Sequence, residues 1–106
     1  MNRIFLKSGD IGIRLTDTLL KDGVPMDLTG ATVKFIMKGR TGAAFVDDAL
    51  FEESGQGPGE VAYEIGIGFP TTSGVYQQEW EVTLAGSVLT FPSDSYNEIQ
   101  ILDDLN

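Results

Sequence analysis

The residues that could carry chemistry in this chain are its carboxylates, because it contains no histidine and no cysteine. Without these two residue types, Ser-His-Asp and Cys-His catalysis and His- or Cys-ligated metal sites are excluded. Disulfides are excluded as well. What remains is pairs of Asp and Glu side chains, which can act as general acid and base or bind a cation.

Glu79 and Glu81 have the most suggestive spacing, because residues two apart lie on one face of a strand. A carboxylate dyad of the glycosidase type usually needs a cleft between elements. Here the pair flanks Trp80, which the alternation places on the opposite, apolar face. The pattern favours a solvated strand face over a catalytic dyad, and we expect no enzymatic activity.

A second group of carboxylates is formed by Asp47-Asp48 and Glu52-Glu53. Calcium needs several oxygen ligands converging on one point, and the Asp-x-Asp-x-Asp-Gly loop is absent. We interpret the group as solvated surface, with a weak cation site as the alternative. No motif indicates a metal or an organic cofactor, so none is expected.

Three segments have the alternation of apolar and polar residues that is typical of strands with one buried face, namely 31–38, 60–67 and 75–84. This pattern places Trp80 in the core and makes Gln78 the polar member of its face. In 66–68 the two glycines indicate a bulge or a close backbone approach. The inward-facing side chains are predicted to be Val33, Phe35, Met37, Val61, Tyr63, Ile65, Ile67, Tyr76, Gln78, Trp80, Val82 and Leu84.

Weaker alternation predicts further strands in 3–7, 11–15, 87–91 and 97–102, with turns at 21–23 and 85–86. Residues 16–20 either extend the strand 11–15 or form a second piece. The stretch 42–53 is interpreted as strand or irregular structure, and a single helical turn is the alternative. About seven to eight short strands with regular turn signals predict one all-β domain over 1–106, an antiparallel β-sandwich. Parallel pairing is not expected, since no helix is long enough for a crossover.

The charge balance bears on the partners of the chain. Sixteen acidic residues against seven basic ones give a formal net charge of −9, which repels phosphate backbones and anionic lipids. No apolar run approaches the ~20 residues of a membrane span, and the first residues do not form a signal peptide. We therefore expect no nucleic-acid or membrane partner, and synthesis in a cytoplasm.

One block of sequence, followed by shorter ones in a fixed order, supports a family resemblance. The block is the unbroken run 22–38, a turn, a Pro-Met-Asp-Leu-Thr-Gly corner and a strand. Shorter blocks are Gly74-Val75-Tyr76 and Phe91-Pro92-Ser93-Asp94. Over about residues 9–101 the chain resembles the immunoglobulin-like N-terminal domain of tailed-phage baseplate upper proteins and related short stand-alone phage structural proteins. Baseplate upper proteins continue beyond this domain, whereas this chain stops at Asn106.

The resemblance implies an immunoglobulin-like β-sandwich and a phage virion structural protein. Such a protein would be a docking or adaptor module of the tail, baseplate, neck or capsid surface, made in the bacterial host cytoplasm. Its partners would be other virion structural proteins, in multiple symmetric copies. The resemblance implies no catalytic or cofactor residues.

Partner contacts are expected at Phe45, Val46, Leu50 and Phe51, which are apolar and lie beside acidic residues in the variable middle of the sequence. Ordinary strand burial is the alternative for these four side chains. A carbohydrate- or receptor-binding module is the alternative function. A glycan-binding module would require solvent-exposed aromatic side chains, so a buried Trp80 would count against it.

Overall fold

Eleven β-strands and no helix account for the regular structure of residues 3–40, 42–51, 57–92 and 96–103, which are those that the computed structural model describes. Eight of these strands have four residues or more, in agreement with the number that the turn spacing predicts. The all-β class is confirmed, and 42–51 is strand and loop. The strands are β1 (Arg3–Lys7), β2 (Arg14–Thr18), β3 (Leu20–Lys21), β4 (Val24–Pro25), β5 (Thr32–Lys38), β6 (Phe45–Asp48), β7 (Leu50–Phe51), β8 (Glu60–Glu64), β9 (Gly74–Leu84), β10 (Ser87–Phe91) and β11 (Asn97–Leu102).

Two sheets contain most of these strands. The six-stranded sheet has the order β1-β11-β9-β5-β6, and β10 pairs with β9 beyond the end of β11. The three-stranded sheet has the order β2-β8-β7, and β3 and β4 form a separate two-stranded hairpin. Because both larger sheets contribute buried apolar side chains to one core cluster, the arrangement is consistent with a β-sandwich.

The centre of the core is aromatic and joins the two sheets. Phe35 of the six-stranded sheet stacks on Tyr63 of the three-stranded sheet, with 4.3 Å between ring centroids. Trp80 meets Phe35 edge-on at 5.4 Å and is only 2% exposed. Aromatic pairs of this kind contribute about 0.5–1.5 kcal/mol beyond the burial of their area. The predicted core position of Trp80 is confirmed.

Two tight hairpins confirm the predicted turns. Asp22 and Gly23 have φ values of 55° and 78°, and Ala85 and Gly86 have values of 50° and 84°. Two consecutive residues with positive φ form the type I′ turn, whose twist matches that of the flanking strands. The second turn places Ser87 opposite Leu84, so β10 folds directly back on β9.

The expectation of purely antiparallel pairing is wrong for β1. This strand pairs in parallel with β11, with Arg3 opposite Glu98 and Lys7 opposite Leu102. A helical crossover is needed only when two parallel strands follow each other in the chain. Here the rest of the domain connects the first and last strands, so no crossover element is required.

The predicted alternation is also wrong at the end of 60–67. Strand β8 ends at Glu64. The next residue, Ile65, still donates its N–H to the Ile13 carbonyl and accepts the Gly12 N–H at its own carbonyl, both at 2.8 Å. Beyond that point no sheet defines an inner face, and Ile67 is 90% exposed. Ala62 lies on the outer face as predicted, yet its side chain is fully buried.

A further prediction fails near the same end of the molecule. A Cβ added at Gly66 or Gly68 would meet nothing within 4 Å, so neither glycine marks a close backbone approach, and the two lie beyond the end of β8. The strand predicted from residue 11 begins only at Arg14, where β2 starts. Residues 16–18 extend that strand and Leu20 begins the separate β3, so each alternative for 16–20 holds in part.

Candidate docking surface

The predicted partner-binding residues lie on a segment that crosses from one sheet to the other. Residues 45–48 form β6, which pairs with β5 at one edge of the six-stranded sheet. Residues 50–51 form β7, which pairs with β8 at one edge of the three-stranded sheet. Ala49 makes the last bond to the first sheet, from its N–H to the Val33 carbonyl, 2.9 Å away. We call residues 45–51 the crossover segment.

Two of the four predicted residues pack against the core. Phe45 lies edge-on to Tyr63 at 6.1 Å and to Phe69 at 5.5 Å between ring centroids. Phe51 is partly buried and packs against the same core cluster. The alternation of β6 turns Phe45 inward, because its register partner Met37 also points into the core. Strand burial therefore accounts for both phenylalanines.

The other two predicted residues are exposed but do not share a face. Val46 is 52% exposed and lies opposite Ile36, on the outer face of the six-stranded sheet. Leu50 is 39% exposed and lies opposite Ala62, on the outer face of the three-stranded sheet, because Val61 and Tyr63 on either side of Ala62 point into the core. A partner that touches both must straddle the edge of the sandwich.

Asp47, between these residues, joins the two sheets. Its Oδ2 accepts a hydrogen bond of 2.7 Å from the Tyr63 hydroxyl, and its Oδ1 accepts one of 2.9 Å from the N–H of Asp48. Burial raises the pKa of Tyr63 well above its usual value, and the hydrogen bond to the Asp47 carboxylate and its charge raise it further. The hydroxyl therefore stays protonated and remains a donor.

Asp48 points the opposite way, since successive side chains of a strand alternate between faces. Its Oδ1 is 2.7 Å from Lys34 Nζ, and this hydrogen bond, together with the charge of Asp48, raises the pKa of Lys34. The two carboxylates thus diverge, and the described residues contain no group of side chains that could hold a metal ion. Glu52 and Glu53, the other half of the predicted acidic group, lie outside the described residues.

The Glu79 and Glu81 pair lies on an open sheet face, as the sequence predicts. Glu81 is opposite Lys34 on β5, and Glu79 is opposite Ile36. Both glutamates are partly exposed on a continuous sheet surface between β5 and the strands on the other side of β9. This arrangement lacks the two facing walls that position substrate between carboxylates in glycosidases.

A second aspartate joins the sheets at the opposite side of the sandwich, and sequence reasoning missed it. Asp17 on β2 accepts hydrogen bonds at Oδ2 from Trp80 Nε1 at 3.1 Å and from Asn97 Nδ2 at 3.3 Å. Its Oδ1 accepts the N–H of Thr18 at 2.8 Å. Asn97 Nδ2 also donates to Gln78 Oε1 at 2.9 Å, so the predicted polar member of the β9 face has a partner.

A groove of about 460 Å³ at one end of the sandwich was also missed. It lies between the β1–β2 and β8–β9 loops, and Ile11, Ile67, Phe69 and Pro70 line part of it. Ile11 and Ile67 are among the most exposed large apolar side chains described. The sequence signal for this groove was that Ile11 and Ile67 lie beside glycines, but the alternation assigned both isoleucines to strands.

The outer face of the six-stranded sheet carries a shallow cleft of about 740 Å³. Its lining includes Lys38, Arg40, Gln77 and Tyr96, and the exposed fraction of Tyr96 is 37%. Neither cation makes an ion pair with another described residue. Glu98, which pairs with Arg3, also lines the cleft. The cleft therefore offers two positive charges, one neutralised carboxylate, an amide and an aromatic ring.

Comparison with known proteins adds no assignment to these surfaces. No protein-family model and no curated protein sequence matches the chain. In the part of the chain that the structure describes, no helix is long and apolar enough to cross a membrane.

Proposed function

We propose that this chain is a virion structural protein of a tailed phage, an immunoglobulin-like module that docks onto a neighbouring tail, baseplate, neck or capsid protein. The phage attribution is supported by the resemblance over residues 9–101, most specifically by the run 22–38. The proposal assigns no catalysis to the chain and places its activity in protein–protein contacts.

The order of the strands supports the immunoglobulin-like part of the proposal. In immunoglobulin domains strands B, E and D share one sheet, strands C, F and G share the other, and variable-type domains add C′ to the second. In this chain β2, β8 and β7 share one sheet, and β5, β9 and β11 share the other, with β6 added beside β5. The two sets follow the same chain order, with β3, β4 and β10 as additional strands that have no counterpart in these sets.

Tyr76 gives a second, independent support. It lies near the start of β9, the strand that corresponds to F, and its hydroxyl donates a bond of 2.6 Å to the carbonyl of Thr72, four residues upstream. A tyrosine that bonds back to the chain at this corner is a hallmark of immunoglobulin-like domains. One departure is that the buried tryptophan of this chain lies on β9, whereas β5 carries Phe35 in the core.

The observation that carries the docking role is the exposure of Val46 and Leu50 on a rigidly held edge. Both exposed apolar side chains belong to a segment that core packing by Phe45 and the Asp47–Tyr63 bond hold in place. A preorganised edge loses little conformational entropy on binding. The acidic side chains beside it favour a partner with basic groups.

Site-specific crosslinking within assembling particles tests the docking surface. A photo-reactive amino acid at position 46 or 50 is expected to crosslink to another virion protein. Position 24 is the control, because Val24 is apolar and even more exposed than Val46 and Leu50 but lies on the separate β3–β4 hairpin. Crosslinks from position 67, with none from position 46 or 50, would instead place the docking surface at the groove that Ile67 lines.

The composition of purified virus particles tests the function itself. We expect quantitative mass spectrometry to detect the chain in particles of the virus that encodes it. A ratio on the order of hundreds per particle would indicate the capsid surface, and a small multiple of the tail symmetry would indicate tail, neck or baseplate. Absence of the chain from particles would contradict the proposal.

A carbohydrate-binding role is the second candidate, and the cleft beside Tyr96 favours it. Two cations and an aromatic ring suit an acidic sugar, since the ring can stack on a pyranose and the cations can pair with its carboxylate. Because Trp80 is buried, it is not available as an aromatic surface for a sugar. Binding of an acidic oligosaccharide that is lost in Arg40→Ala would establish this candidate, and absence of binding across a glycan array would remove it.

A further inference from the structure

The free edge of β10 differs from the other edges of the two sheets. An edge strand presents unpaired N–H and C=O groups that can pair with another chain, and proteins usually block such edges with charges or local bonds. Among the described residues, β10 pairs only with β9. Its sequence, Ser-Val-Leu-Thr-Phe over 87–91, contains no charged residue.

The hairpin turn determines which backbone groups of β10 point outward. In a two-residue hairpin the residues flanking the turn, here Leu84 and Ser87, exchange hydrogen bonds. Bonded and non-bonded pairs then alternate along the ladder, so Leu89 is also bonded to β9. Val88 and Thr90 therefore direct their N–H and C=O groups away from β9, towards the free edge.

On two of the other edges an aspartate caps one outward N–H and adds a negative charge. The Ala49 N–H bonds to β5, so the N–H of Asp48 faces outward, and there it is capped by Asp47 Oδ1. In the same way the Leu19 N–H bonds to Gly59, and the outward N–H of Thr18 on β2 is capped by Asp17.

The remaining edges are charged or very short. Strand β1 carries Arg3 and Lys7 at its two ends, and like charges would face each other in many pairings with a second copy. Strand β7 offers only two residues. Among the described edges, β10 alone is uncharged and uncapped over a full five-residue strand.

We propose that β10 pairs antiparallel with β10 of a second copy of this chain, so that two six-stranded sheets form one continuous sheet. A two-fold axis at Leu89 places Val88 opposite Thr90 of the other copy, with two backbone hydrogen bonds at each of these two pairs. All outward groups of Val88 and Thr90 are then paired. The facing side chains are all neutral, and Val88 is 59% exposed in the single chain.

The net charge predicts how this association responds to salt. Each copy carries a formal charge of −9, so two copies repel each other. Salt screens this repulsion, and the Debye length is about 8 Å at physiological ionic strength. Pairing through β10 involves no ion pair that salt could weaken. We expect self-association to strengthen as salt is added, whereas docking of the acidic edge onto a basic partner would weaken.

Two double variants test both the edge and its register. Val88→Lys with Thr90→Lys places two lysines opposite each other at both pairs, and we expect it to be monomeric. Val88→Glu with Thr90→Lys has the same substitution sites but brings Glu opposite Lys at both pairs, and we expect it to dimerise at least as well as the unmodified chain. In each variant Lys at position 90 lies opposite Glu81 of its own β9, so the hairpin itself is preserved.

Sedimentation equilibrium over a concentration series measures the association at low and high salt. We expect a reversible monomer–dimer equilibrium for the unmodified chain. A strictly monomeric chain at every concentration, or a lysine double variant that dimerises as well as the unmodified chain, would overturn the proposal. This inference does not depend on the phage proposal, because it concerns the purified chain alone.

Amide hydrogen exchange supplies a readout that does not depend on any variant. In the dimer we expect the amides of Val88 and Thr90 to become protected as concentration rises. The Leu89 amide, bonded to β9 in both states, serves as the internal control. Dimerisation without new protection at Val88 and Thr90 would place the contact elsewhere and overturn the assignment to β10.

Discussion

At the scale of single residues, two aspartates hold this cysteine-free sandwich together. Each lies on an edge strand, caps the next backbone N–H with one oxygen, and accepts a hydrogen bond from a buried aromatic residue of the opposite sheet with the other. Asp17 reaches Trp80 and Asp47 reaches Tyr63. The pair of contacts links the sheets on both sides of the core, in a molecule that has no disulfide to do so.

Replacing Asp17 tests the first of these contacts. In Asp17→Ala the Trp80 N–H loses its acceptor inside the protein, and an unsatisfied buried donor costs about 1–3 kcal/mol. We expect the free energy of unfolding in urea to fall by that amount. Asp48→Ala is the matched control, since it also removes one negative charge but loses only the surface ion pair with Lys34, which solvent screening makes weak. Equal losses in the two variants would contradict the role of Asp17.

The Tyr63–Asp47 contact predicts a pH dependence of stability. The pKa of Tyr63 is raised in the folded protein, whereas in the unfolded chain it is near its ordinary value of about 10. The unfolded state therefore loses its proton first, and the contribution of Tyr63 is complete below pH about 10 and is lost as the pH rises towards the folded pKa. Because other tyrosines and lysines titrate in the same range, the measured quantity is the difference in urea stability between the unmodified chain and Tyr63→Phe.

We expect that difference to be constant between pH about 7 and 9 and to change above pH about 10, where the unmodified chain loses stability more steeply than Tyr63→Phe. A difference that stays constant through this range would show that Tyr63 does not titrate differently in the two states.

At the scale of elements, alternation predicted the strands that lie inside a sheet and failed where a strand leaves it. The inward faces of β5 and β9 and the hairpin between β9 and β10 agree with the sequence pattern, because a period of two has only one solution when one face is buried. Ile67 departs from the pattern because β8 has already ended. The parallel pairing of β1 could not be inferred, since it depends on β1 and β11, far apart in sequence, lying side by side in the fold.

Gly59 occupies a position between strands where only glycine fits. It has a φ of +73°, and an added Cβ would lie 2.9 Å from the Leu19 carbonyl oxygen and 3.0 Å from the Met26 nitrogen. It thus lets the start of β8 approach the end of β2 and the segment after β4. We expect Gly59→Ala to lower the free energy of unfolding by more than about 2 kcal/mol, because strain and contact add.

Gly30→Ala is the control for Gly59→Ala. Gly30 has a similar φ of +79°, but nothing lies within 4 Å of its added Cβ. Gly30→Ala should therefore lower the free energy of unfolding only by the cost of a left-handed backbone at alanine, about 1 kcal/mol. Thermal or urea unfolding of both variants measures the difference, and equal effects would show that the close approach at Gly59 is relieved by backbone movement.

At the scale of the whole molecule, the single tryptophan reports on the packing of one sheet against the other. Trp80 is shielded by both sheets, so we expect its fluorescence to resist quenching by acrylamide in the folded protein. The same protein in concentrated urea, where Trp80 is accessible, is the control. Efficient quenching without denaturant would contradict the packed core and would favour the alternative in which Trp80 is exposed and able to contact a sugar.

The sequence by itself determined the class of the fold, the inward faces of the strands inside the sheets and the absence of histidine and cysteine chemistry, because these depend on residue type and local periodicity. Only the tertiary structure decided what the carboxylates do. Asp17 and Asp47 are too far along the chain from Trp80 and Tyr63 for spacing to relate them. The same holds for the crossover segment, where the sequence marked four apolar residues and only the tertiary structure shows that Phe45 and Phe51 pack against the core while Val46 and Leu50 stay exposed.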